Sequence, residues 1–220
     1  MMIDDYRYTK YEKKNPNMIN DKIKFIKLLQ KKHKRTDNHY ALIRNNSDNY
    51  KLEYLKIFDY KCVYCGNSLE NIPIYLFEID HYINQASSVN NSSNQVNHID
   101  NLFPACKICN SKKSNITFKN KYIDLFEPCT NIQNVFYRDE LYNIRICKEY
   151  CDDEFIKLFY TKLKLDNDAR RIDYLLLCMR GLVKKVKSLK LSSKLNEELS
   201  NKLNELIIVL QSKRNCISVK

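Results

Sequence analysis

Apolar residues recur at helical spacing over most of the chain and at strand spacing in two short stretches. From Asn20 to about Lys34, Ile23, Ile26 and Leu29 with Phe25 and Leu28 mark one face of a helix, and Asn20 or Asp21 can accept the free N–H groups at its start. A second helix is predicted from Asp48 to Phe58, with Leu52, Leu55 and Ile57 or Phe58 inward. The run Ile74 to Ile79 is dense in β-branched and aromatic residues and reads as a strand, whereas 84–100 is mostly Asn and Ser and reads as a loop. Pro104 then sets the first turn of a helix that carries Cys106, Cys109, Asn110 and Lys113. Val135 to Ile146 predicts a hairpin turning at Arg138 to Glu140. Three helices follow: one capped by Asp152 or Asp153 and running through Leu163, one from about Ala169 to Leu189, and one from Ser193. The last shows Leu195, Leu199, Leu203, Leu206 and Leu210 as a stripe, which fits either the preceding helix or another subunit. Residues 1–18 are polar, tyrosine-rich and aperiodic, and read as an arm, one that can order on a partner, or as an irregular lead-in. The pattern is α+β and mainly helical, divided as an N-terminal helical arm (1–57), a central region (58–125) and a hairpin with helices (126–220).

Composition narrows the function. With 220 residues and 44% apolar content the chain can bury a core, and 38 Lys+Arg against 26 Asp+Glu give a net charge of +12, the footprint of a protein that meets phosphate backbones. The cluster Lys31 to Arg35 either lies along such a backbone or is a solvated helix end. No apolar run approaches the roughly 18 to 20 residues of a membrane span. The start of the chain lacks the basic-then-apolar order of an export signal, so a cytoplasmic protein with reduced thiols is expected. Two glycines, Gly66 and Gly181, are too few for a glycine-rich nucleotide loop.

The chemistry concentrates between Cys62 and Asn115. Cys62-Val-Tyr-Cys65 and Cys106-Lys-Ile-Cys109 supply four thiolates at the shortest spacing that lets one turn offer two zinc ligands, so a structural Zn²⁺ is expected to clamp the ends of the stretch. His98 could stand in for one ligand but lacks the spacing to either pair. Between the pairs lies Phe77-Glu-Ile-Asp80-His81, with Asn101 twenty residues beyond His81 and Asn110 directly after the fourth cysteine.

This arrangement resembles the HNH endonucleases, in the subset whose ββα-metal core is held by two Cys-x-x-Cys pairs, over about residues 58–117. The resemblance implies hydrolysis of DNA phosphodiester bonds, which needs an activated water and a cation on the phosphate oxygens. His81 can take the proton of that water, and Asp80 with the side-chain oxygen of Asn110 can hold Mg²⁺ or Mn²⁺. Neighbours on a regular strand point to opposite faces, so Asp80 and His81 share a site only if the strand ends or bends there. By the resemblance, Asn101 orients His81, and Lys113, with Lys112 as a second choice, holds substrate phosphate. Many members carry His where this chain has Asn110, proline where it has Asn84, and glycines before the position of Asn101. Glu78 stands on Asp80's side by alternation, as a supporting group or a solvated carboxylate. More loosely, the helical C-terminal region is similar to that of HNH subunits in Septu-type and retron-associated antiphage systems, which implies an ATPase partner docked on the C-terminal helices. The competing readings are a stand-alone restriction or homing-type nuclease, a homo-oligomer built on the last helix, and a non-catalytic zinc-binding nucleic-acid adaptor.

Overall fold

The computed structural model describes residues 5–34, 38–44, 49–84, 96–114, 116–119, 121–189 and 193–217. Most of the loop expected at 84–100, the first four residues of the arm, Arg35 and Asp48 lie outside the described residues. Helix α1 (Met18–Lys32) buries Met18, Lys22, Phe25 and Leu29 at steps of four, three and four. Lys22, not Ile23, takes the inward place: its stem fills the apolar stripe while its ammonium bonds to the Asp100 carbonyl at 3.3 Å and lies 4.3 Å from the Phe103 ring centroid. Ile23 is turned to solvent. A short helix that periodicity did not reveal, α2 (His39–Arg44), precedes α3 (Tyr50–Ile57), whose inward residues are Tyr50, Tyr54, Leu55 and Ile57 while Leu52 faces out.

Strand β1 (Phe77–His81) starts three residues later than expected, because Ile74–Leu76 forms a 3₁₀ turn after Pro73. It pairs antiparallel with β2 (Leu102–Cys106), His81 opposite Leu102 and Phe77 opposite Cys106. Pro104 lies inside β2, and the helix begins only at Lys107 as α4 (Lys107–Lys113). A two-stranded sheet tolerates this proline, since a residue without an N–H can sit where no ladder donor is needed, and its carbonyl accepts the Val63 N–H at 3.0 Å. The resulting ββα unit is joined through α5 (Lys121–Leu125) to a second small sheet, β3 (Phe136–Arg138) with β4 (Ile144–Ile146). Helix α6 (Glu154–Lys162) follows, its free N–H groups at Phe155 and Ile156 accepted by Asp153. Phe118, Phe126, Phe136 and Phe159 make the contact between these parts, with Phe118 and Phe126 stacked at 5.2 Å and Phe126 and Phe159 at 4.3 Å. Helix α7 (Asp168–Ser188), capped by Asn167, runs against α8 (Ser193–Cys216), and Arg214 near the end of α8 pairs with buried Asp173 near the start of α7 at 2.6 Å. No helix among the described residues is long and apolar enough to cross a membrane.

Residues 5–17 are not a free arm. Arg7 is buried, donating to the carbonyls of Val63 and Pro128 at 2.8 Å each and pairing with Asp5, whose carboxyl is driven far below its ordinary range by Arg7 and Lys14 against the opposing cost of burial. The segment crosses both glycines. Gly66 has φ of 75°, and a Cβ there would come 2.7 Å from the Arg7 backbone; at Gly181 a Cβ would come 2.5 Å from the Tyr11 side chain. Polar residues with no period of their own are ordered here by carbonyls of distant segments that need a donor. Gly66→Ala should cost about 1–3 kcal/mol of stability, from the positive φ and the blocked crossing, and a thermal melt checks it.

Candidate active site

The four cysteines converge. Their sulfur atoms all lie within 4.8 Å of one another, all buried, and Cys65 and Cys106 are 3.8 Å apart at sulfur. A tetrahedron with Zn–S of about 2.3 Å has edges of about 3.8 Å, so the cluster has the dimensions and the donor chemistry of a structural zinc site. Its turn is set locally: Gly66 N–H bonds back to the Cys62 carbonyl at 2.9 Å, and Cys62 N–H to the Asn67 carbonyl at 2.8 Å. Sequence reasoning missed Arg170. This α7 side chain, 2% exposed, directs its guanidinium at Cys65 (3.2 Å), Cys109 (3.4 Å) and Cys106 (3.9 Å). Hydrogen bonds from neighbouring thiols, with Arg170 in support, hold Cys106 well below the usual thiol range. Four thiolates around Zn²⁺ carry two net negative charges, and one buried guanidinium offsets half of that. No spacing rule would have paired residue 170 with this cluster.

At the end of β1 the alternation of burial breaks, since Ile79 and Asp80 are both buried. Asp80 points inward and is 5% exposed, whereas His81 is half-buried. The Asp80 carboxylate accepts from the Tyr64 hydroxyl at 2.5 Å and pairs with Lys113 at 3.0 Å. Burial raises its pKa, with Lys113 and Tyr64 opposing, and burial likewise lowers that of Lys113. Both directions say that desolvation outweighs the attraction between the two groups. Lys113, expected to hold substrate phosphate, is 1% exposed. Its ammonium bonds to Asp80 and to the His81 carbonyl (2.8 Å), among the rings of Tyr64, Tyr82 and Phe118. A buried carboxylate needs a cation, and Lys113 is committed to that need. Lys112, like Lys107 at the start of α4, is exposed.

The expected bond between Asn101 and His81 is replaced by another. Asn101 accepts from Ile83 N–H (2.8 Å) and donates to the carbonyls of Ile83 (2.9 Å) and Val96 (3.0 Å), so its amide fixes the chain leaving β1. The imidazole partner is Asn97, whose Oδ1 lies 2.9 Å from His81 Nε2. An amide oxygen only accepts, so this bond places the proton on Nε2 and leaves Nδ1 as the basic nitrogen. The Tyr40 ring packs against the imidazole at a tilt of 41°, its centroid 4.4 Å from that of His81. Asn97 was hidden in an Asn-rich loop where no spacing separated it from its neighbours.

Asn110, on the first turns of α4, donates its amide to Glu78 at 2.6 Å, which leaves the amide oxygen available. Glu78 and Asn110 are both half-buried and offer hard oxygen donors beside the ββα unit. The Glu78 carboxylate and the Asn110 amide oxygen could hold a divalent ion that keeps several waters. Asp80 would join it only by exchanging the Lys113 ammonium for the ion.

Residues 62–115 match the family model described as HNH endonuclease. No curated protein and no solved structure matches the chain.

Proposed function

We propose, from the HNH endonuclease domain that residues 62–115 form, that this protein hydrolyses DNA phosphodiester bonds with His81 as general base. The observation that carries the reading is the His81–Asn97 bond, which occupies Nε2 and leaves Nδ1 as the nitrogen that can take a proton. Asn97 holds the tautomer and the ring, Lys113 holds the carbonyl of His81, Asn101 holds the backbone at Ile83, and exposed Lys112 can meet a phosphate. A bound Mg²⁺ or Mn²⁺ at Glu78 and Asn110 would supply positive charge to the non-bridging and leaving oxygens of the scissile phosphate. The domain acts within a larger assembly in this reading. Helix α8 keeps Leu199, Leu206, Ile208 and Val209 in solvent, which supports docking of a second subunit such as the ATPase of an antiphage system, in the cytoplasm.

Supercoiled plasmid incubated with the protein and Mg²⁺ or Mn²⁺ should be nicked, and not in the metal-free control. Intact plasmid with either ion, with labelled RNA also uncut, would leave a zinc-binding nucleic-acid module instead. Two asparagines separate positioning of the base from support of the fold. Asn97→Ala should slow cleavage roughly 10- to 100-fold with the melt nearly unchanged. Asn101→Ala, which strands three backbone groups, should lower stability by about 1–3 kcal/mol. The two expectations are checked by pairing single-turnover rates with thermal melts, and equal melting losses in both variants would contradict the assignment.

A further inference from the structure

The segment matched by the family model begins at Cys62, yet the imidazole of His81 is touched by Tyr40 of α2, twenty-two residues upstream of that point. Helix α2 is fastened to the loop that orients the base: Tyr40 N–H donates to the Asn97 carbonyl at 3.3 Å, and the Ile99 N–H donates to His39 Nδ1 at 3.3 Å. Asn97 therefore joins both, giving its side-chain oxygen to His81 and its backbone oxygen to Tyr40. One turn further along α2, Arg44 is exposed and places its guanidinium carbon 5.8 Å from the Tyr40 ring centroid. Among the described residues no carboxylate pairs with it. The stretch 18–44 holds eight Lys and Arg against two Asp, so the field over these helices is positive.

We propose that α2 completes the active site as a subsite for the substrate strand, in which Arg44 binds a phosphate flanking the scissile bond and Tyr40 positions His81. A guanidinium offers a planar fork of donors that matches a phosphate, and a ring beside it stiffens the side chain that carries the fork. The Tyr40 ring centroid is 4.4 Å from that of the imidazole and 5.8 Å from the guanidinium carbon, so a strand bound at His81 comes within reach of Arg44. Tyr40 acts through His81, since its ring covers the imidazole that Asn97 holds at the edge. This proposal rests on the nuclease reading for the role of Tyr40, while the Arg44 contact concerns binding alone.

The test uses the full chain and a fluorescently labelled DNA duplex without added divalent ion, with labelled RNA as a parallel arm. Anisotropy titrations from 50 to 200 mM NaCl compare the native protein with Arg44→Gln and with Lys27→Gln, an equal charge loss on the exposed face of α1. Arg44→Gln should weaken binding uniformly across sequences and lower the salt slope by about 1, with Lys27→Gln changing it far less. In single-turnover cleavage Tyr40→Ala should lose roughly 10- to 100-fold in rate with unchanged affinity, and Tyr40→Phe should restore it. Equal behaviour of Arg44→Gln and Lys27→Gln overturns the subsite, as does native cleavage by Tyr40→Ala. A native protein that binds but never cuts overturns the hydrolysis reading and with it the role of Tyr40, while the Arg44 comparison still decides the contact. A protein that binds neither DNA nor RNA overturns both.

Discussion

His81→Ala is expected to slow plasmid cleavage by roughly 10²–10⁴-fold, the usual contribution of a positioned general base. The fold should survive the change. The imidazole is half-buried, and its side chain touches the fold through the Asn97 bond at 2.9 Å and the Tyr40 ring at 4.4 Å, neither of which closes the core. Its backbone carbonyl, which anchors Lys113, is kept by alanine. The rate should therefore collapse while the melting temperature shifts by no more than a surface substitution causes, about 0.5 kcal/mol in stability terms. If His81→Ala cuts at the native rate, His81 is not the base. A lost melt would instead place its role in structure.

Removing the zinc is expected to have the largest effect on stability. Binding at four thiolates contributes about 10–16 kcal/mol in small zinc peptides, as much as the 5–15 kcal/mol that holds a whole domain. Cys106→Ser should abolish bound zinc, measured as about one zinc per chain in the native protein by elemental analysis, and should lower the melting temperature sharply. Cys151→Ser, at an exposed position away from the cluster, should retain both. The damage should also spread beyond the ββα unit. Arg170 holds α7 to the sulfurs of Cys65, Cys106 and Cys109, and once their charge is gone it becomes a buried cation with only the carbonyls of Leu163 and Lys164 as partners. Limited proteolysis should then cut near α7 in the variant before it cuts the native chain. Retained zinc with an unchanged melt would remove the cluster from its role as a clamp.

Much of this was legible in the sequence where a pattern reports on its own neighbourhood. Two Cys-x-x-Cys pairs specify a four-thiol site because each pair is one turn, and the turn's geometry travels with the spacing. Asp153 and the apolar period behind it located α6, and the same reasoning found α7 and α8, because caps and stripes are properties of a single helix. The order Asp80, His81, Asn101, Asn110 pointed to the HNH type, which the match of residues 62–115 bears out.

What the sequence could not say is which polar group meets which. Asn97 and Asn101 are the same residue type four positions apart, and only the path of the loop decides that one holds the imidazole and the other the backbone. Lys113 reads as the lysine that holds substrate phosphate until Asp80 is seen to be buried and in need of a cation. The polar segment 5–17 reads as an arm until Arg7 finds two carbonyls, one of them 121 positions away. Periodicity and spacing are set by interactions within one element, and these determined most of the helices, the four-cysteine cluster and the HNH type of the central stretch. The pairing of charges and hydrogen bonds is set by contacts across the chain, where an unpartnered buried group is costly, and so only the tertiary structure decided which polar side chain meets His81 and which ones tie the fold around it.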